Sequence, residues 1–521
     1  MARSTLATCI ALVLAARSGS VASAGREAAA AAERPRLNLL FIVNDQHRRD
    51  AVGAYGNPLI KTPHLDALAR RSALFQAAYV TQPLCTPSRA SLLTGLYPHT
   101  HGAALNNAPL APDRRILTQM LPPGVYRTAW FGKWHLGDEI FRQRGFDEFE
   151  STEDGYEEHY SAGRDHSARS GYHHFLAARG VKPDQRDGYS RRYANTLPKE
   201  LSKPAYVAGK GIEFIERQRD RPFVAFLSFL DPHTPFNSVN DGMYDPAKME
   251  VPATFREPLD PSVLERTRVL RDLIQHDAPG SYRGIIDTAR DLQEVKARYY
   301  GKVTLVDEMI GRVLARLGEL GLSDRTIIVF TSEHGELMGD HRLMFKSLMY
   351  EESAGVPLML SVPGVTDAGR RVSVPVSTVD VTPTLLDLLG QPPPPGLQGE
   401  SWAPRLRGGG EWPERPVLIE FNGPPWPFKD RFTERLRTVR TPEGWKLTVD
   451  DRSQGELYDL RQDPQERKNL FYDEAQLDRV RALLEEIRSW QRRTGDQAMR
   501  FDEAEWRRHG RRLRPARPSG S

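Results

Sequence analysis

Short, nearly continuous apolar runs separated by stretches of helical periodicity constrain this chain more than any other feature. Leu37 to Val43 (LNLLFIV), Phe223 to Phe229 (FVAFLSF), Thr326 to Phe330 (TIIVF) and Pro357 to Val362 (PLMLSV) have strand lengths and little polar alternation, as strands covered on both faces do. Between them, Leu292, Val295, Tyr299, Val303, Val306, Ile310, Val313 and Leu317 recur in steps of three and four, the stripe of a long amphipathic helix. Thr62-Pro63 reads as an N-cap and a proline at the first helical position, with Leu65, Leu68, Ala69 and Leu74 on one side. Asp380 to Leu389 is a further capped helix closed by Gly390. Strands alternating with helices predict an α/β domain around a large, mostly parallel sheet.

The pattern changes after Pro392 to Pro395 and Gly408 to Gly410, which are loop composition. Three short strand-like runs (Val417 to Phe421, Trp445 to Val449, Glu456 to Leu460) precede a helix near Ala475 to Trp490. We therefore expect a main domain over 37–410, a smaller C-terminal α+β subdomain over 411–500, and a basic Arg/Pro-rich tail over 501–521, unfolded from Arg507. At the other end, Arg3, the apolar run Ala7 to Ala16 and the small residues Ala22-Ser23-Ala24 have the layout of a signal peptide over 1–24, followed by a loose leader over 25–36. That layout implies contact with an export machinery and a periplasmic or secreted protein. The apolar run is too short to span a bilayer, and with 27% charged residues over 521 the chain is not expected to be an integral membrane protein. Lys+Arg 72 against Asp+Glu 68 is close to balance, so no nucleic-acid partner is implied. Of two cysteines, Cys9 leaves with the signal peptide. Cys85 remains alone, without a disulfide framework, and is either an inert hydrophobe or chemistry.

The chemistry centres on Cys85-Thr86-Pro87-Ser88-Arg89. Pro87 suits a first helical turn, which holds Cys85 at the mouth of a helix N-terminus where an anion is favoured. Arg89, one turn in, can reach the same charge. Other blocks follow in order: Asn44-Asp45-Gln46, Ala54-Tyr55-Gly56, Thr62-Pro63-His64-Leu65-Asp66, Gly132-Lys133-Trp134-His135-Leu136-Gly137, Asp231-Pro232-His233-Thr234-Pro235, Thr331-Ser332-Glu333-His334-Gly335-Glu336, Gly339-Asp340-His341, Lys346, Met349-Tyr350-Glu351-Glu352-Ser353 and Leu457-Tyr458-Asp459-Leu460. With these blocks the chain, from about Leu37 to Trp490, resembles the sulfatase family of the alkaline-phosphatase-like superfamily.

The resemblance implies an alkaline-phosphatase-like α/β sandwich and an arylsulfatase-like sulfuric ester hydrolase. It implies that Cys85 becomes formylglycine, made by a formylglycine-generating enzyme, and that one Ca²⁺ is held by Asp45, Gln46, Glu333, His334 and residue 85. One hydroxyl of the hydrated aldehyde, made acidic by the cation and Arg89, would attack sulfur. Lys133, Lys346 and the metal would stabilise charge on the sulfate oxygens, His233 alone or with Lys346 would protonate the leaving oxygen, and His135 would take the proton that releases sulfate. The residues themselves are compatible: Asp45 and Gln46, and Glu333 and His334, follow buried strands, and such strand ends are where open α/β sheets place sites. Two departures stand out. Asp45-Gln46 replaces the paired aspartates of many members, and Glu333 stands where Asp is usual, which lengthens the reach by one bond. A Ca²⁺ shell absorbs that, and His334 brings a nitrogen that also accepts Mn²⁺ or another divalent ion. His64, His99, His101 and His341 read as structural. The expected substrate is a sulfated small molecule or carbohydrate, in a pocket walled by Asp138 to Lys203 and Asn237 to Arg290. Two other readings remain: a phosphonate or phosphodiester hydrolase on the same framework, and a non-catalytic protein that binds sulfated glycans.

Overall fold

A computed structural model describes residues 36–186, 188–275, 286–423, 435–497 and 501–513. The expected signal peptide and nearly all of the leader lie outside the described residues. The larger sheet has nine strands: β1 (Asn38–Asp45), β2 (Ala73–Tyr79), β3 (Arg127–Gly132), β4 (Glu148–Glu150), β5 (Phe223–Pro232), β6 (Thr326–Ser332), β7 (Gly355–Ser361), β8 (Arg370–Val372) and β9 (Val376–Ser377). Their order is β4-β3-β5-β1-β6-β7-β2-β8, with β9 also paired to β2. Only β7 runs against its neighbours, β6 and β2; every other pairing is parallel. The apolar runs sit where a two-sided core needs them: every residue of β1, β5, β6 and β7 is buried.

Helices cover both faces. On one, Leu40, Ile42, Phe131, Leu227 and Phe330 pack with Leu65 and Leu68 of α1 (Pro63–Ala69), Val207 and Phe214 of α3 (Lys203–Arg217), and Val306, Ile310 and Val313 of α4 (Ala289–Glu319). On the other, Phe41 and Trp130 flank Phe226 at 5.0 and 5.2 Å between ring centroids. There α2 (Cys85–Thr94) is pinned through Leu92, whose carbonyl accepts the Thr382 hydroxyl of α5 (Val381–Leu388) at 2.7 Å. Each fully buried large apolar side chain contributes about 1.5–3 kcal/mol.

Two helix readings change. Leu74 does not extend α1 but lies in β2. Thr62 precedes Pro63 as foreseen, yet its side chain caps nothing; the first N–H groups of α1, from His64 and Leu65, donate to Asp307 of α4 at 3.2 and 2.7 Å. A tertiary carboxylate replaces the local cap.

The second sheet is antiparallel, in the order β10 (Val417–Asn422), β11 (Arg435–Arg440), β12 (Trp445–Asp450), β13 (Gly455–Asp459), and is covered by α6 (Leu477–Thr494). Its inner residues Val417, Ile419, Phe421 and Leu436 share a cluster with Ala77, Tyr79 and Leu84 near the first sheet. The tail departs from expectation, because Glu503–Leu513 forms a helix, α7. Trp506, 2% exposed, anchors it, and its indole N–H donates to the Phe471 carbonyl at 3.0 Å. A basic composition did not prevent one aromatic side chain from docking the segment.

Candidate active site

Sheet order builds the site. β3, β5, β1 and β6 are consecutive parallel neighbours, so the residues after each emerge side by side at one edge: Lys133 and His135, then His233, then Asp45 and Gln46, then Glu333 and His334. Register fixes the last two pairs, since Asn44 lies opposite Ser332 and Glu333 N–H donates to the Asn44 carbonyl at 3.1 Å. Gln46 and His135 have φ of 66° and 61°, a left-handed turn that costs a non-glycine residue about 1–2 kcal/mol and swings the chain off the strand end. The Lys133–His135 segment is therefore not extended, although both side chains line the cleft.

Cys85 is the first residue of α2, after an extended Leu84, and is 1% exposed. Its sulfur accepts from Lys346 Nζ at 3.0 Å and lies 3.3 Å from His334 Nε2. Lys346 also donates to Gln46 Oε1 at 3.2 Å, while the Gln46 amide donates to Glu336. Ligand atoms of Asp45, Cys85, Glu333 and His334 lie within 4.8 Å of one another, all four residues buried. Lys133 Nζ donates to Asp45 Oδ2 at 2.5 Å. Arg89, expected to reach back toward Cys85, instead sets Nε against Glu333 and donates from Nη1 to the Lys133 carbonyl and Ser228 Oγ, both at 2.8 Å. Gln46, Cys85, Lys133, His135, His233 and Lys346 line a cleft of 1410 Å³; Asp45, Arg89, Glu333 and His334 lie beneath it.

The floor suits a cation. Asp45 Oδ1 and Glu333 Oε1 are buried acceptors without a hydrogen bond, Glu333 Oε2 being paired with Arg89 Nε, and such acceptors are costly unless something positive meets them. Burial would push the Asp45 carboxyl up, but the ammonium groups of Lys133 and Lys346 hold it well below the usual range. Burial and Lys346 pull His334 down, yet the Cys85 sulfur and Glu333 carry it up to about 9, so the cluster draws positive charge onto its own imidazole. Carboxylate oxygens with one imidazole form a donor set for Ca²⁺ or Mn²⁺.

The two cleft histidines are held neutral. Burial, then Lys133 and Arg89, push His135 well below its ordinary value; burial outweighs Asp45 at His233. His233 Nδ1 meets the Thr234 carbonyl at 2.8 Å, which makes Nδ1 the protonated nitrogen and leaves Nε2 for the cleft. His135 Nε2 donates to Asn107 Oδ1 at 2.7 Å, and its Nδ1 is buried without a partner.

Several supporting residues escaped the sequence. Asn107 and Tyr156, whose ring lies 4.8 Å from that of His135, fall on loops with no periodic signal. Glu139 accepts the Trp134 and His135 N–H groups at 2.8 and 2.5 Å. Lys302 left a trace: it lies three residues after Tyr299, inside an otherwise apolar stripe. Its Nζ pairs with Asp231 Oδ1 at 2.9 Å and donates to the carbonyls of His233 and Pro235 at 2.8 and 2.9 Å, which fixes the His233 loop. Of the two expected walls, the stretch after Asp138 lines the cleft extensively. Among the described residues, Asn237 to Arg290 contributes only Leu270.

A doubly covered α/β sheet whose strand ends gather carboxylates, lysines and histidines round one helix-mouth cysteine defines an anionic-ester hydrolase of the alkaline-phosphatase-like superfamily. The family model "Sulfatase" matches residues 37–391, and that for the C-terminal part of N-sulphoglucosamine sulphohydrolase matches residues 339–493. The chain thus belongs to the sulfatase family and is a sulfuric ester hydrolase. It is 30% identical to an ulvan-active sulfatase of Formosa agariphila over 80% of this chain and 76% of that one. Over 84% of this chain and 83% of the relative, it is 28% identical to an N-acetylglucosamine-6-O-sulfatase of Bacteroides thetaiotaomicron. The crystal structure of a phosphonate monoester hydrolase of Agrobacterium radiobacter superposes with a TM-score of 0.75 at 28% identity, covering 89% of this chain and 97% of that one.

Proposed function

We propose that the chain, exported to the periplasm or beyond, removes sulfate from a polar, carbohydrate-like ester, using formylglycine at position 85 and a Ca²⁺ held by Asp45, Gln46, Glu333, His334 and residue 85. The observation that carries this is the setting of Cys85: a buried sulfur at a helix mouth, between Lys346 and the anionic floor. Residue 85 as an aldehyde hydrate supplies an oxygen nucleophile that a thiol lacks, and a divalent ion supplies Lewis acidity toward it and the sulfate oxygens.

The chain's own residues do the rest. Lys133, buried, and Lys346, half-buried, present ammonium groups to the sulfate oxygens, and fixed charges with reduced solvation stabilise developing charge best. Arg89 holds the Glu333 carboxylate in place from below. His233 Nε2, unprotonated while Nδ1–H serves the Thr234 carbonyl, takes up a proton as the anionic ester binds and then passes it to the leaving oxygen, and Lys302 keeps its loop in position. His135, with Nε2–H committed to Asn107, offers Nδ1 as the base that accepts a proton from residue 85. Among the described residues no helix is long and apolar enough to cross a membrane.

The aromatic and charged lining after Asp138, including Tyr156, Tyr172, Tyr189 and Arg191, supports a carbohydrate-like leaving group. The likeness to a phosphonate monoester hydrolase favours a second reading, in which the same site turns over phosphonate monoesters. Peptide mass at residue 85, together with kcat/KM on 4-nitrophenyl sulfate and on 4-nitrophenyl phenylphosphonate, tests both. Aldehyde and preferred sulfate turnover are expected. An unmodified cysteine with full sulfate turnover overturns the mechanism, and preferred phosphonate turnover selects the second reading.

A further inference from the structure

Charge is out of balance in one buried ion cluster of the cleft wall; the wall's outer carboxylates, Glu157 and Glu158, lie more exposed against Arg169 and His159. Glu153, on the segment after β4, is buried with a side chain 2% exposed, and it holds two cations. Lys203, at the start of α3, meets Oε1, and Arg191 Nε donates to Oε2 at 2.7 Å. One cation balances a buried carboxylate; a second leaves net positive charge where screening is weak. The neighbouring buried pair, Lys302 with Asp231, is already one to one. Arg191, Lys203 and Lys302 therefore face two carboxylates. Asp154, next in the chain, is turned to Ser170 and accepts its N–H and hydroxyl at 2.5 and 2.9 Å.

The surplus lies with the accessible member. The Arg191 side chain is 31% exposed, against 7% for Lys203 and 1% for Lys302, and it lines the cleft. Its Nη2 donates to the Tyr156 hydroxyl at 2.9 Å, and the Tyr156 ring packs against His135. One aromatic ring thus separates the guanidinium from the imidazole at the sulfate end. Nε and Nη2 are occupied by Glu153 and Tyr156, which leaves Nη1 for a ligand oxygen. At 1410 Å³ the cleft has ample room beyond a sulfate group.

We propose that the cleft takes sulfate esters whose alcohol portion bears a second anionic group, a carboxylate or a sulfate, and that Arg191 receives it. This rests on the sulfate-ester reading above and adds the substrate's second charge. Arg191 is then a specificity-determining residue, distinct from the groups at sulfur.

The test compares 4-carboxyphenyl sulfate with 4-carbamoylphenyl sulfate, near isosteres differing in charge, and adds hydroquinone bis-sulfate to tell a sulfate-reading wall from a carboxylate-reading one. The carboxylate makes a slightly poorer leaving group, so intrinsic reactivity works against the expected preference. Wild-type enzyme is expected to favour at least one anionic ester by ~10-fold in kcat/KM. Arg191→Met brings that ratio to about one, and Arg191→Lys keeps part of it. Arg191→Met leaves Lys203 and Glu153 as a balanced pair, and a thermal melt checks its fold. A wild-type ratio near or below one for both anions, or a ratio that survives Arg191→Met, overturns the proposal. Should no sulfate ester turn over, the sulfate-ester reading fails. Calorimetric binding of 4-hydroxybenzoate against 4-hydroxybenzamide, in wild type and Arg191→Met, then decides the role of Arg191 separately, and equal binding of the two overturns it.

Discussion

At the scale of single residues, the site depends on two substitutable groups: the sulfur of Cys85 and the carboxylate of Glu333. Cys85→Ala removes the nucleophile's precursor without breaking a disulfide, so kcat should fall by at least ~10³-fold with little change in the melting temperature. A melt lowered as much as the rate would make Cys85 a packing residue instead. Glu333 Oε1 has nothing hydrogen-bonded to it, while Oε2 is paired with Arg89, so metal affinity should register its loss. Calorimetry with Ca²⁺ and with Mn²⁺ is expected to keep Kd within about tenfold for Glu333→Asp and to weaken it about a hundredfold for Glu333→Ala. Equal affinity in all three proteins would remove Glu333 from the ligand set. The extra methylene relative to aspartate lets this carboxylate touch Arg89 from below, a contact that the sequence did not suggest, because Arg89 was expected to serve Cys85.

At the scale of elements, strand ends were legible and loops were not. The apolar runs located β1, β5, β6 and β7 because burial on both faces leaves a one-dimensional signature, and the pairs 45–46 and 333–334 inherit their positions from those strands. Asn107, Glu139 and Tyr156 are set by tertiary packing of irregular segments, which has no period to read. The cap on α1 was misread for a similar reason: the acceptor for its N–H groups comes from Asp307, far away in sequence. Lys302 on α4 supports a prediction. Lys302→Met combined with Asp231→Asn, which avoids a stranded buried carboxylate costing about 3–5 kcal/mol, should loosen the His233 loop. Rates on esters with poor leaving groups should fall ~10-fold or more, and those on good leaving groups much less. A uniform loss would mean that the pair only stabilises the fold. Helix α7 gives another case: Trp506→Ala should lower stability by about 3 kcal/mol in denaturant titration while leaving kcat unchanged.

At the scale of the whole molecule, buried neutral histidines make stability depend on acidity. His101 accepts the Ala103 N–H on Nδ1 at 3.1 Å, so that nitrogen cannot carry a proton without losing the bond, and burial pushes the group down to about 3. His341, stacked on Tyr350 at 4.1 Å, is pushed down to about 4 by burial, then by Arg271 and Lys446. The unfolded chain protonates these imidazoles near 6.5 and the folded one does not. Their contribution is therefore complete above that value and drains away as pH falls toward 4 and 3. Between pH 7 and 5 the two should cost ~4 kcal/mol. His341→Phe, which keeps the stack, should shrink that loss by ~2 kcal/mol in denaturant titrations at both pH values; an unchanged slope would clear His341. The central strand carries a different consequence. β1 is paired on one side with β5 and on the other with β6, and the Ser332 hydroxyl donates to the Asn44 carbonyl across a separation of 288 residues. During synthesis the first strand therefore waits, sticky and half-matched, until most of the polypeptide has left the ribosome. Contacts so distant make assembly slow and aggregation a competitor, so soluble yield should rise when expression is cooled and slowed.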